Sequence, residues 1–220
     1  METYVLPDGD PGAIPTALAV LLGDGIVAFP TDTVYGVGAL AFQPEGIERL
    51  YQVKQRSHTL AIPVLIGSPH ELEKVTLDPG PIAIKLAERF WPGPLTLVVP
   101  RHPRLPDAIS QTATIGVRIP NHPAALALLH QAGPMAVTSA NLSGMAETHT
   151  AEEVLAQLGG RVELILDGGR SPGGVPSTVV DTTTDPVSIL REGPISEAEI
   201  RALSSGNRNG SRSGNTAKNS

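Results

Sequence analysis

Cysteine is absent from the 220 residues, which excludes disulfides, thiolate metal sites and a cysteine nucleophile together. Any metal must be held by oxygen or histidine, and the six histidines are scattered without ligand-like spacing. Aromatic residues make up only 3% of the chain, and its single tryptophan, Trp91, sits among prolines in FWPGP, where it reads as a packing anchor rather than a base-stacking platform. No apolar run approaches the ~18 residues of a membrane span. The first residues, METYVLPDGD, lack the basic and apolar regions of a signal peptide, so a cytoplasmic protein without membrane attachment is expected. Positive charge is also scarce: the net charge is −6, and residues 204–220 hold Arg208, Arg212 and Lys218 with no acid, leaving 13 basic against 22 acidic residues elsewhere. That balance argues against a protein whose main business is sequence-independent phosphate-backbone binding. Neither GxxxxGK[ST] nor HExxH occurs, and GVGALA at 36–41 imitates a dinucleotide fingerprint without leading straight into a helix.

What is present is an ordinary globular composition, with 40% hydrophobic and 17% charged residues. One domain over residues 1–203 is expected, followed at 204–220 by a polar segment too poor in apolar residues to order itself.

The chain is organised around residues 26–41, IVAFPTDTVYGVGALA, which change character in mid-run. Ile26, Val27, Ala28 and Phe29 read as a buried strand ended by Pro30. Thr31, Asp32, Thr33 and Tyr35 then place hydroxyls and a carboxylate where open α/β sheets bind ligands. Gly36 and Gly38 read as sites of positive φ or of close backbone approach to a ligand. A second segment repeats the pattern: a strand over 135–138 runs into Thr138, Ser139, Asn141 and Ser143, and two such strand ends imply a shared cleft.

Periodicity and caps place helices at 11–22 behind Asp10, 44–56, 69–75, 81–90, 122–131, 151–158 and from Ser196, with Leu126 and Leu129 on the apolar face of the fifth. Strands are expected at 61–66, 95–99, 115–119, 162–166, 178–181 and 187–191. Lys54 falls at the end of an inward helical face with Arg56 just beyond it, an arrangement that also fits cations complementing a helix dipole. Arg118 stands between apolar neighbours in GVRIP and needs an anionic partner, either an internal carboxylate or a ligand's carboxylate or phosphate. The glycine-rich run at 167–178 can offer backbone N–H groups to an anion, but is equally what a surface loop contains.

PTDTVYG at 30–36, KQR at 54–56, GVRIPNH at 116–122, SANLSG at 139–144, PSTVVD at 176–181 and LREG at 190–193 occur in an order that resembles the YrdC/TsaC family over residues 14–201. That family comprises threonylcarbamoyl-AMP synthases, which join L-threonine, bicarbonate or CO2 and ATP, releasing pyrophosphate, for threonylcarbamoyladenosine modification of tRNA. The resemblance implies an α/β fold: a twisted mixed sheet with flanking helices and a concave cleft, without the further carboxy-terminal domain some relatives carry. It implies threonine contacts at Thr33, Arg118, Thr138 and Ser177, and nucleotide contacts at Lys54, Arg56, Thr114, Ser139, Asn141 and Arg191. Lys54 and Arg56 take the catalytic role, by charge neutralisation without a covalent enzyme nucleophile. Mg2+ is expected with ATP, its protein ligands undefined, and a downstream threonylcarbamoyl transferase and tRNA or double-stranded RNA are the implied macromolecular partners. Two departures from the family pattern, Ser57 after Arg56 and the run LAIPVL at 60–65, bear on how the loop after Arg56 holds ATP. A non-catalytic RNA-binding factor on the same fold and a paralogue serving another carbamoyl transfer are the competing readings.

Overall fold

A computed structural model describes residues 1–204; the expected polar tail therefore lies outside the described residues, except Ser204, which closes the last helix. The chain opens with β1 (Tyr4–Pro7), α1 (Ala13–Leu22), β2 (Val27–Phe29) and β3 (Gly36–Leu40). It continues through α2 (Pro44–Lys54), β4 (Val64–Leu65), α3 (Leu72–Val75) and α4 (Gly80–Phe90). Next come β5 (Leu95–Pro100), β6 (Thr114–Arg118), α5 (Pro123–Ala132), β7 (Met135–Ser139) and α6 (Ala151–Leu158). The last described elements are β8 (Leu164–Asp167), β9 (Thr178–Asp181), β10 (Ser188–Arg191) and α7 (Glu197–Ser204).

The strands form one ten-stranded sheet in the order β1-β8-β2-β3-β7-β4-β6-β5-β9-β10. It is mixed, as expected: β1 and β2 pair parallel to β8, whereas β3 pairs antiparallel to both β2 and β7. The period-two alternation of each strand divides its side chains between two apolar layers. Val27 and Phe29 of β2 and Leu164 and Leu166 of β8 face one way, toward Ala13, Ala17 and Leu21 of α1 and Leu128 and Leu129 of α5. Ala28 and Ile165 face the other way and join α2, α4, α6 and α7 through Ile47, Leu86, Val154 and Ile200.

The second half of the sheet leaves its α1-side face open. There β5, β6 and β9 send Leu95, Leu97, Ile115, Val117 and Val180 into the core. Their alternates Thr96, Val98, Gly116, Arg118 and Val179 line a cavity. A fully apolar strand would have buried both faces, so the polar residues interleaved in β5 and β6 are what keep this floor uncovered.

Several sequence expectations need correction. Helix α1 begins at Ala13 because Asp10 turns its carboxylate onto the Gly12 N–H at 2.7 Å and does not cap the helix. Strand β4 is two residues long, not six, since Pro63 has no N–H to give to the ladder, although its carbonyl still accepts the Val137 N–H at 2.9 Å. Leu129 is buried in α5, but Ala124, Ala125 and Leu128 are its other buried residues, with Leu126 only partly covered. Gly36 and Gly38 do not adopt positive φ, though Gly36 does line the cavity; they form β3 against β7, where an added Cβ would meet Val137 Cγ1 at 2.9 Å and the Ala136 carbonyl at 2.7 Å. Strand β1, unanticipated, adds an edge alongside β8.

Candidate active site

The cavity has a volume of about 700 Å³, within the span of small-molecule clefts. Both polar strand ends reach it. Residues 30–35 leave β2 and return into β3, whose Gly36 pairs with Ser139 at the end of β7. Tyr35 locks the two together, its carbonyl accepting the Ala140 N–H at 2.8 Å and its N–H donating to the Thr148 carbonyl at 2.9 Å.

Arg118 is the most constrained cation of the site. Its side chain is 7% exposed, and Nη2 donates to Asp32 Oδ1 at 2.5 Å, Nη1 to Thr33 Oγ1 at 3.0 Å and Nε to the Gly93 carbonyl at 3.0 Å. The internal carboxylate is therefore present. It does not exhaust the guanidinium, because three of the five N–H donors are engaged and one on each terminal nitrogen is left. Burial lowers the Arg118 pKa and the charge of Asp32 opposes that shift. Thr33 is fixed in turn by Thr31, whose hydroxyl lies 3.0 Å from its own.

Lys54 is carried by α2, which starts with Pro44 at its first turn, buries Ile47, Leu50 and Tyr51, and ends in a left-handed Gln55 at φ 51°. The apolar face places the Lys54 stem in the core at 2% exposure. Its ammonium donates to the Ser139 carbonyl and to Asn141 Oδ1, the latter at 3.2 Å, so it reaches the polar end of β7 and does not simply complement its own helix. Burial depresses its pKa to about 8, against the opposing charge of Glu147. Asn141 Oδ1 also accepts the Ser139 hydroxyl at 2.6 Å, which makes Lys54, Ser139 and Asn141 one cluster.

Arg56 lines the same cavity and donates to the Leu60 and Ala61 carbonyls at 3.3 and 3.0 Å, so the run that departs from the family pattern is what orients it. Opposite, Ser177 holds Arg191: the arginine Nε donates to the Ser177 carbonyl at 3.0 Å and Nη2 to its hydroxyl at 3.1 Å, while Thr96 Oγ1 lies 2.8 Å from that hydroxyl. Thr138 joins them on the lining. Nine of the ten residues singled out from the sequence thus share one cavity, Thr33, Lys54, Arg56, Arg118, Thr138, Ser139, Asn141, Ser177 and Arg191. Thr114 does not; it starts β6 with its hydroxyl 3.2 Å from that of Thr112, outside the lining.

The glycine-rich run after β8 packs onto the threonine-rich turn. Tyr35 donates its hydroxyl to the Gly169 carbonyl at 2.7 Å, and burial pushes the phenol up to about 12. Gly173 approaches so closely that a Cβ would lie 2.4 Å from the Asp32 carbonyl. Two polar lining residues had no signal in the sequence: Thr96, hidden in an apolar strand, and Glu147, in an unremarkable stretch after SANLSG. Among the described residues no group of three or more His, Asp or Glu is placed to hold a metal ion, and no helix is long and apolar enough to cross a membrane.

A family model named Sua5_yciO_yrdC, described as telomere recombination, matches residues 19–193. The chain is 42% identical over 208 residues to a Bacillus subtilis protein named threonylcarbamoyl-AMP synthase, spanning 91% of this chain and 59% of that one. A Mycobacterium tuberculosis protein is 39% identical over 195 residues, 88% of this chain and 90% of its own length. Among solved structures, that of Pyrococcus abyssi Sua5 complexed with L-threonine superposes with a TM-score of 0.84 at 38% identity, covering 86% of this chain and 56% of that one. In sequence and fold alike, the chain belongs to the Sua5/YciO/YrdC family.

Proposed function

We propose that this chain is a threonylcarbamoyl-AMP synthase, a nucleotidyltransferase that forms L-threonylcarbamoyladenylate and pyrophosphate from L-threonine, bicarbonate or CO2 and ATP. The observation that carries this reading is the pairing, in one cavity, of a buried Arg118 that keeps two free N–H donors with a set of three further cations, Lys54, Arg56 and Arg191. A carboxylate suits the first, because a guanidinium presents parallel donors in the plane a carboxylate accepts. A triphosphate suits the second.

The chemistry follows from that arrangement. Threonine's amine adds to CO2 with loss of a proton, giving a carbamate. A carbamate oxygen then attacks the α-phosphorus of ATP, the new P–O bond forming as the bond to the bridging oxygen breaks and its electron pair leaves with pyrophosphate. Holding the two anions in line and offsetting their repulsion is the whole task, and no side-chain nucleophile is required. Lys54, with a pKa of about 8, is largely protonated at neutral pH and supplies a charge next to Ser139 and Asn141. Mg2+ is proposed to arrive with ATP and to withdraw charge from its phosphates. The product is a reactive mixed anhydride, so a threonylcarbamoyl transferase that consumes it promptly, with tRNA as final acceptor, is the proposed downstream partner.

The test is pyrophosphate release from ATP with threonine and bicarbonate each omitted in turn. Release that needs both supports the synthase; equal release without threonine removes it.

A further inference from the structure

We propose that Glu147 is the protein's ligand to the divalent cation that accompanies ATP, an inference that rests on reading this cavity as an ATP site. Among the described residues that line the cavity, Glu147 is the only one with a carboxylate. Its Oε2 is shielded from solvent yet has no hydrogen-bond partner, and among the described residues its carboxylate lies in none of the ion pairs. A shielded carboxylate oxygen without a partner is costly unless something else meets it. The remaining cavity charges are cationic, and Glu147 is close enough to Lys54 and Arg191 to favour the protonated form of each. It therefore stands at the side of the cleft suited to phosphates.

The backbone on either side of Glu147 is tied down. The Gln157 side-chain amide donates to the Ala146 carbonyl at 3.0 Å, and the Tyr35 N–H donates to the Thr148 carbonyl at 2.9 Å. The Thr148 hydroxyl adds a bond to the Ala140 carbonyl at 3.1 Å. A single carboxylate beside a phosphate site is the donor set Mg2+ uses in nucleotide enzymes, where one or two protein oxygens supplement phosphate oxygens and retained waters. It also accounts for the lack of any larger cluster of metal-holding side chains among the described residues. The competing role is contact with threonine's amino group, which makes a different prediction for ligand affinity.

The experiment is calorimetric titration of ATP into the full chain, with EDTA and with saturating Mg2+, for wild type, Glu147→Gln and Glu147→Asp, alongside threonine titrations and melting curves. Mg2+ is expected to tighten ATP binding to the wild type. Glu147→Gln should lose that gain by about tenfold or more. Glu147→Asp, with the carboxylate on a shorter arm, should keep more of it, and threonine affinity should change less than twofold. Mn2+ electron paramagnetic resonance with protein and a non-hydrolysable ATP analogue should report a bound ion in the wild type that Glu147→Gln weakens. An equal Mg2+ gain in all three proteins overturns the proposal, as does a selective loss of threonine affinity in Glu147→Gln. Failure of the wild type to bind ATP with or without metal would instead remove the ATP-site reading itself.

Discussion

Arg118 Nη2 lies 2.5 Å from Asp32 Oδ1, and the same carboxylate oxygen accepts the Asn121 backbone N–H at 2.9 Å. One acid thus fixes both the arginine at the end of β6 and the chain that follows it. An internal partner and a ligand-binding role are compatible here, because Asp32 neutralises and orients a fork that keeps two N–H donors and lines the cavity. Arg118→Lys should weaken threonine binding by roughly 1.5 to 3 kcal/mol, since an ammonium cannot present the planar fork. It should also lower the melting point, because Asp32 then loses its partner. ATP affinity should change much less. Unchanged threonine affinity with a lowered melting point would remove Arg118 from the site and leave it a structural residue.

Lys54 gives a pH signature. Its pKa of about 8 in the folded protein lies below the ordinary 10.5, so in the free protein the ammonium is lost as pH rises through about 8. Triphosphate beside it favours the charged form, so ATP binding just above pH 8 should take up protons. Titrations in two buffers of different ionisation enthalpy should give different apparent enthalpies, and Lys54→Met should abolish the difference. Buffer-independent enthalpies in the wild type would contradict the assignment. For stability the sign is opposite: between about 8 and 10.5 the unfolded chain binds more protons, so this group alone makes the fold more stable as pH rises through that window.

Gly173 is predicted to be intolerant of a side chain. A Cβ there would meet the Asp32 carbonyl at 2.4 Å and Thr33 Cα at 2.9 Å, both backbone atoms that cannot swing aside. Gly173→Ala should destabilise by about 1–3 kcal/mol and raise the threonine KM through displacement of Thr33. Gly9→Ala, with nothing within 4 Å, is the control and should do neither. An unaltered threonine KM in Gly173→Ala would separate the glycine-rich run from the site.

Much of this site was legible because its chemistry interrupts strong patterns. Arg118 stands in an apolar strand, Lys54 on an inward helical face, and the hydroxyl runs follow buried strands, so each breaks a periodicity that is otherwise clear. Asp32 and the internal half of the Arg118 environment were not decidable, since pairing across 86 residues depends on tertiary contact. Thr96 and Glu147 broke no pattern, one being an ordinary strand residue and the other an ordinary loop acid. Thr114, named from a motif position, starts β6 outside the cavity lining, because a motif position carries no information on which way the strand presents its first hydroxyl. Strand β4 was overread for a local reason, Pro63, that was itself visible in the sequence.

Serine should be a poorer substrate than threonine. Val34 lines the cavity beside Thr33, and an apolar contact with the missing methyl is worth ~1 kcal/mol or somewhat more in kcat/KM. Equal kcat/KM for the two amino acids would show that the methyl is not read.

The most direct test of the central claim follows carbon from bicarbonate. The full chain is incubated with radiolabelled bicarbonate, L-threonine, ATP and Mg2+, and the quenched mixture is separated and weighed by mass spectrometry. The account predicts one labelled species containing threonine, the bicarbonate carbon and AMP, formed in step with pyrophosphate and absent when threonine is left out. Pyrophosphate released while the label never enters an adenylate would contradict it.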